Sequence, residues 1–221
     1  MPLSTARRAG LVDQVIEQIR QSVVSGEWPV GHRIPNETVL VESLGVGRNT
    51  VREAVRALAH AGILEVRQGD GTYVRATSEV SGALRRLRGA ELRDVLQVRR
   101  GLEVEGARLA ASHRTDADLA ELRSLLSRRD ECLRTGDTEE FARADTEFHL
   151  ATVRASHNVI LVELYRGLIE AITASVATTY ETAVDIVDHG ELLDYIAAGD
   201  VVGAGSTAGE LLDRILAGLP S

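Results

Sequence analysis

With 221 residues, 44% hydrophobic and 26% charged, the chain has the composition of a folded globular protein, either one large domain or two small ones. No apolar run approaches the roughly 20 residues needed to span a bilayer. The first ten residues lack the apolar core of a signal peptide, and the lone Cys132 excludes an internal disulfide framework and a cysteine-based zinc site, so the expectation is a cytoplasmic protein. The net charge of −8 argues against nucleic acid only until it is divided. Residues 1–76 hold nine arginines against eight acids, net +1, and the remainder carries −9.

Along the chain, Leu11, Val15, Ile16, Ile19 and Val23 recur at three- and four-residue spacing, which predicts an amphipathic helix over 11–25 stopped by Gly26. Asn36 is a natural cap for a short second helix reaching Ser43, with Val39 and Leu40 inward and Gly45 at its end. A third helix over 49–60 buries Val51, Val55 and Leu58, leaves Arg52 and Arg56 outside, and stops at Gly62. Two β-prone runs, Ile63 to Arg67 and Thr72 to Arg75, flank Gln68-Gly69-Asp70-Gly71 and predict a hairpin. Three helices and a hairpin wing, the third helix carrying arginines after a glycine turn, make a winged helix-turn-helix.

The stretches Gly31-His-Arg-Ile-Pro-Asn-Glu, Leu44-Gly-Val-Gly-Arg-Asn-Thr-Val-Arg-Glu-Ala-Val and Gly69-Asp-Gly-Thr-Tyr-Val closely resemble the GntR family of transcription regulators over about 65 residues. The resemblance implies that Arg48 and Arg52 read bases and that Asn49 and Thr50 meet phosphates. Gln68 and Gly69 would form the wing tip that enters the minor groove. Where the family has an arginine in the second helix this chain has Thr38, one charged DNA contact fewer.

Beyond a linker at 77–80, residues 81–221 show helical periodicity and no strand signal. Helices are expected near 80–88, 91–112, 116–135, 138–155, 158–182, 186–198 and 201–217. Thr115 and Asp137 stand at N-caps, and Gly136 and Gly199 at stops. Arg99 falls on the apolar stripe of Leu92, Val95, Leu102, Gly106 and Leu109. A charge there either bridges to Glu103 one turn on or grips a ligand carboxylate. In 138–155, Phe141, Asp145, Phe148, His149 and Thr152 share a face. Asp145 and His149, four apart, either pair structurally or reach one metal ion. Gly203, Gly205 and Gly209 mimic a dinucleotide fingerprint, but only 12 residues follow, too few for a βαβ unit. Three glycines inside one helix instead suggest that it is loosely held.

Asp145-Thr-Glu-Phe-His149, Ser156-His-Asn158, Val98-Arg-Arg-Gly-Leu-Glu103 and Leu109-Ala-Ala resemble the FadR subgroup, whose effector domain is the helical bundle called FCD. The resemblance implies a mainly α architecture: an N-terminal winged helix-turn-helix over 1–76 and an all-helical ligand-binding and dimerisation domain over 81–221. It implies a divalent metal held by an aspartate and three histidines. Asp145, His149 and His189 match three of these, and Leu211 stands where the fourth is expected. Zinc, nickel and manganese all suit such donors.

The function expected is a cytoplasmic homodimeric repressor that binds double-stranded operator DNA. A small organic acid would modulate it, meeting Arg99 and the metal. The alternatives are a metal-free pocket for an acyl-type effector, or a metal-dependent hydrolase. No general-base or nucleophile pattern accompanies Asp145, His149 and His189, and the chain is expected not to be an enzyme.

Overall fold

A computed structural model of the chain describes residues 10–85, 92–175 and 189–218. The chain divides into two compact units, Met1–Arg88 and Gly89–Ser221.

The first unit contains α1 (Gly10–Val24), α2 (Glu37–Leu44), α3 (Arg48–His60), the antiparallel pair β1 (Leu64–Arg67) and β2 (Gly71–Val74), and α4 (Glu79–Leu84). Its core closes Val15, Ile19 and Val23 of α1 on Val51, Ala54 and Leu58 of α3, with Leu40, Ile63 and Val74 completing it. The periodicity is right about the core but too generous at its edges. Leu11 is 58% exposed and Val39 43% exposed. Val39 instead contributes its backbone N–H, which donates to the Asn36 side chain at 3.1 Å and so caps α2. The hairpin pairs Leu64 with Val74 and Arg67 with Gly71.

The helix expected near 80–88 begins at Glu79 behind a Ser78–Ser81 capping box, and α4 ends at Leu84; residues 86–88 lie outside the described residues. It belongs with the first unit and not with the helical domain. Arg20 of α1 pairs with Glu79 at 2.8 Å, and Gly82 lies against the backbone of Ala61 and Gly62, where any Cβ would collide.

Among the described residues, the second unit is α5 (Leu92–His113), α6 (Asp116–Thr135), α7 (Thr138–Arg154), α8 (Val159–Ser175), α9 (Gly190–Ala198) and α10 (Val201–Gly218). The expected caps are formed. Thr115 and Asp118 make a reciprocal box, Asp137 accepts from Glu140 N–H, and Gly136 and Gly199 adopt left-handed φ of 77° and 76°. The predicted helices over 158–182 and 186–198 run partly into 176–188, which lies outside the described residues. The central helix is α5, whose Ala107, Ala110 and Ala111 pack with Phe148, Leu192, Ile196 and Ala208.

The glycines of α10 correct the expectation of a loose helix. Gly203 faces the Tyr195 ring, Gly205 faces Arg108 and Gly209 faces Arg100 and Val104, so side chains from α5 and α9 fill the space a Cβ would need. Close approach offsets the propensity cost. Gly106 serves α5 in the same way. A Cβ there would lie 2.9 Å from Val153 Cγ2 and 3.3 Å from Val153 Cα on α7, whereas Gly101 on the exposed side has nothing within 4 Å. Gly106→Ala is expected to destabilise by about 1–3 kcal/mol through overpacking, and Gly101→Ala to stabilise by up to about 1 kcal/mol. Opposite shifts of the urea midpoint test both.

Candidate functional site

Two constellations concentrate the chemistry, one in each unit. In the first, Gly47 opens α3 without a side-chain cap, so first-turn N–H groups face solvent at the positive end of the helix. Arg48 and Asn49 are exposed in that turn and Thr50 is half-buried. Arg52, one turn on, is exposed on the same face, and its Nε donates to Glu37 Oε2 at 2.8 Å. Gln68 and Gly69 are exposed at the hairpin tip, where Gly69 has φ 77°. A cleft of about 470 Å³ separates α3 from the hairpin. The six residues singled out by sequence therefore fall on two neighbouring elevations, and the cleft between them was not legible from spacing.

In the second unit the metal-ligand candidates converge. Asp145 and His149 project from consecutive turns of α7, and His189 stands just before α9. One ligand atom from each lies within 4.8 Å of the others. His149 Nε2 is 3.0 Å from His189 Nε2, and each imidazole is 3.7 Å from an Asp145 oxygen. Phe148 meets both rings edge-on, with centroids 5.8 and 5.6 Å away, which fixes their planes.

His149 Nδ1 lies 2.9 Å from Glu103 Oε2, so Nδ1–H donates to that carboxylate and Nε2 is left as an acceptor. An accepting Nε2 facing another imidazole nitrogen at 3.0 Å requires a proton or a cation between them. Two nitrogens about 2.0–2.1 Å from a shared ion stand roughly 3 Å apart at near-right angles. The donor set therefore fits a divalent ion, and Glu103–His149 has the form of a carboxylate–histidine pair that would orient the ring toward one. Leu211 is buried in the apolar cluster and offers no fourth ligand.

Glu103 is what the sequence reading missed as a functional residue. It is 3% exposed and also accepts from Tyr165 Oη at 2.7 Å and from Arg99 Nε. Burial alone would raise its pKa. The Arg99 charge, then His149 and Tyr165, outweigh that and hold it well below the carboxylate range. Arg99, itself 5% exposed, thus makes the one-turn bridge to Glu103. Arg129, buried on α6, donates from Nε to Asp145 Oδ1 at 2.7 Å and lies over the Phe141 ring. Burial would raise Asp145 too, but His149, Arg129 and His189 lower it. Only the i,i+4 spacing hinted at Arg99–Glu103, and nothing local links Arg129 to Asp145.

Comparison with known proteins gives a consistent picture. Residues 11–74 match the model for bacterial regulatory proteins of the gntR family, and residues 94–214 match the FCD domain. The chain is 35% identical to the HTH-type transcriptional regulator Mce2R of Mycobacterium tuberculosis over 230 residues, 96% of this chain and 93% of that one. It is 28% identical to an Escherichia coli protein named for regulating an L-lactate dehydrogenase operon, over 88% of this chain and 80% of that one. The solved structure of Streptococcus agalactiae GntR superposes with a TM-score of 0.58 at 30% identity, covering 95% of this chain and all of that one.

Removing the cation from a buried pair leaves the anion uncompensated, so Arg99→Ala is expected to destabilise the second unit by about 3–5 kcal/mol. The depressed pKa of Glu103 also sets a sign. Its contribution is present above the ordinary carboxylate pKa of about 4.3 and fades as pH falls below it. Denaturation across pH 3–7 should therefore show the two proteins converging on the acid side, and a constant gap would disprove this assignment.

Proposed function

The chain belongs to the GntR family of bacterial regulatory proteins, with an FCD domain as its C-terminal part; on that premise we propose that it is a homodimeric repressor whose hold on a palindromic operator is set by a small carboxylate metabolite bound through a divalent metal. Membership makes it a DNA-binding transcription regulator and not an enzyme. No described helix is long and apolar enough to cross a membrane.

For the DNA half, Arg48 and Arg52 lie four residues apart on the exposed face of α3, and each can fork onto O6 and N7 of a guanine. Asn49 and Thr50 sit beside the open helix N-terminus, suited to phosphates, and Gln68 and Gly69 to the minor groove. A single recognition helix has a small footprint, which favours two chains on two half-sites. Arg52→Ala is expected to cost about 1–3 kcal/mol of specific binding and to relax preference at one base position. Footprinting at matched salt reads both, and unchanged protection would remove α3 from the recognition role.

The observation that carries the effector half is the charge balance of the buried cluster. Arg99 offsets Glu103 and Arg129 offsets Asp145, with the exposed Asp130 a further carboxylate 3.3 Å from Arg129, so the described buried side chains carry no surplus positive charge before any ion enters. Asp145, His149 and His189 would hold the ion, which with three protein ligands offers exchangeable positions to a carboxylate. Two added positive charges in a buried site favour an anionic effector. Arg99 is already committed to Glu103, so an effector carboxylate that reached it would share the guanidinium. The relative named for an L-lactate dehydrogenase operon is consistent with a hydroxy-acid effector. The effector must favour one of two DNA-binding arrangements, since equal affinity for both shifts nothing.

We expect about one divalent ion per chain and a thermal shift with zinc, nickel or manganese, both lost in His149→Ala and in His189→Ala. Hydroxy-, keto- and dicarboxylic acids titrated into the metal-loaded protein should release operator DNA in a gel shift. A native preparation with neither ion nor thermal shift would exclude the metal. A response confined to uncharged sugars or amines would exclude the carboxylate.

A further inference from the structure

The cleft between α3 and the hairpin carries a second class of arginine. In the first unit Arg20, Arg52, Arg67 and Arg75 each face a carboxylate. Arg33 and Arg56 are exposed, and among the described residues neither guanidinium has an ion-pair or hydrogen-bond partner. Both line the cleft, from opposite walls. Arg56 stands one turn beyond Arg52 on α3. Arg33 is fixed from the other side, since its backbone bridges to Tyr73 on β2 and its side chain crosses Gly71. Arg33 Nε lies 2.5 Å from where a Cβ of residue 71 would be, so only glycine there lets the side chain run along the hairpin base. The cleft also holds Arg52, Arg67, Glu37 and Asp70, leaving four arginines against two acids.

With α3 in the major groove and the hairpin tip in the adjacent minor groove, the phosphate strand dividing those grooves must pass over this cleft. We propose that Arg33 and Arg56 form a two-sided phosphate clamp on that strand, separate from base reading by Arg48 and Arg52. The proposal rests on the DNA-binding reading above. A pair of sequence-independent contacts here offsets the charge absent at Thr38. It also gives the two unpartnered cations a ligand whose charge is continuous along the groove edge.

Phosphate contacts show in the salt dependence of binding, each adding about −0.9 to the slope of log affinity against log salt. The experiment titrates the full-length protein into mixed-sequence duplex DNA by fluorescence anisotropy over a sodium chloride series. Arg33→Gln and Arg56→Gln should each flatten the slope by about 1 per bound chain and the double variant by about 2 per bound chain, twice these values for a dimer, with equal loss on every duplex tested. Arg33→Lys should retain the wild-type slope. If Arg33→Gln disturbs the hairpin, shown by a lowered thermal midpoint, Arg56→Gln on an exposed helix face decides the matter. A double variant with the wild-type slope would overturn the clamp, as would a loss confined to particular sequences. Wild-type protein that binds no duplex at all would refute the DNA reading itself, a distinguishable outcome.

Discussion

The carboxylate of Glu103, buried in the middle of α5, is the constraint on which the second unit depends. An ion taken out of water survives only if its partners replace the lost hydration. Here they come from three helices: Arg99 from α5 itself, His149 from α7 and Tyr165 from α8. Satisfying one charge therefore ties together three helices that also share apolar packing. The same charge selects the His149 tautomer and turns Nε2 toward His189 and Asp145. A structural requirement of the core thus also orients one of the candidate metal ligands.

The cluster has a repeated logic. Arg99 with Glu103 and Arg129 with Asp145 are two cation–carboxylate pairs on either side of the facing imidazoles. Neutrality lets the group stay buried without an ion. The same neutrality means that a dication, on the reading proposed above, would bring an unbalanced charge that an anionic ligand could offset.

In the first unit the electrostatics are arranged differently. Four arginines are matched by nearby carboxylates, and Arg33, Arg48 and Arg56, unmatched among the described residues, gather on α3 and the hairpin base. A chain with a net charge of −8 can face DNA because its positive charge is localised and its acid lies mostly in the other unit. Arg52 is held by Glu37 at 2.8 Å, an ion pair that restricts the conformations of its exposed side chain.

Local chemistry written in the sequence determined the helices, their caps and the hairpin. Asn36, Thr115 and Asp137 cap because their short side chains reach first-turn N–H groups, and Gly136 and Gly199 stop helices because they accept positive φ. Asp145 with His149 was legible for the same reason, since four residues make one turn. Its convergence with His189 followed only from likeness to a family. Contacts distant in sequence belonged to the tertiary structure. Arg129 meets Asp145, and Tyr165 meets Glu103, across helices whose packing no spacing encodes. The role of Arg99 was decided there as well, because the spacing allowed both a bridge and a ligand contact until Glu103 was found buried among three donors, Arg99, His149 and Tyr165. The glycines of α10 read locally as weakness, since propensity counts only the helix itself. Close packing against Tyr195 and Arg108, invisible to any one-dimensional pattern, makes them a requirement of the fold.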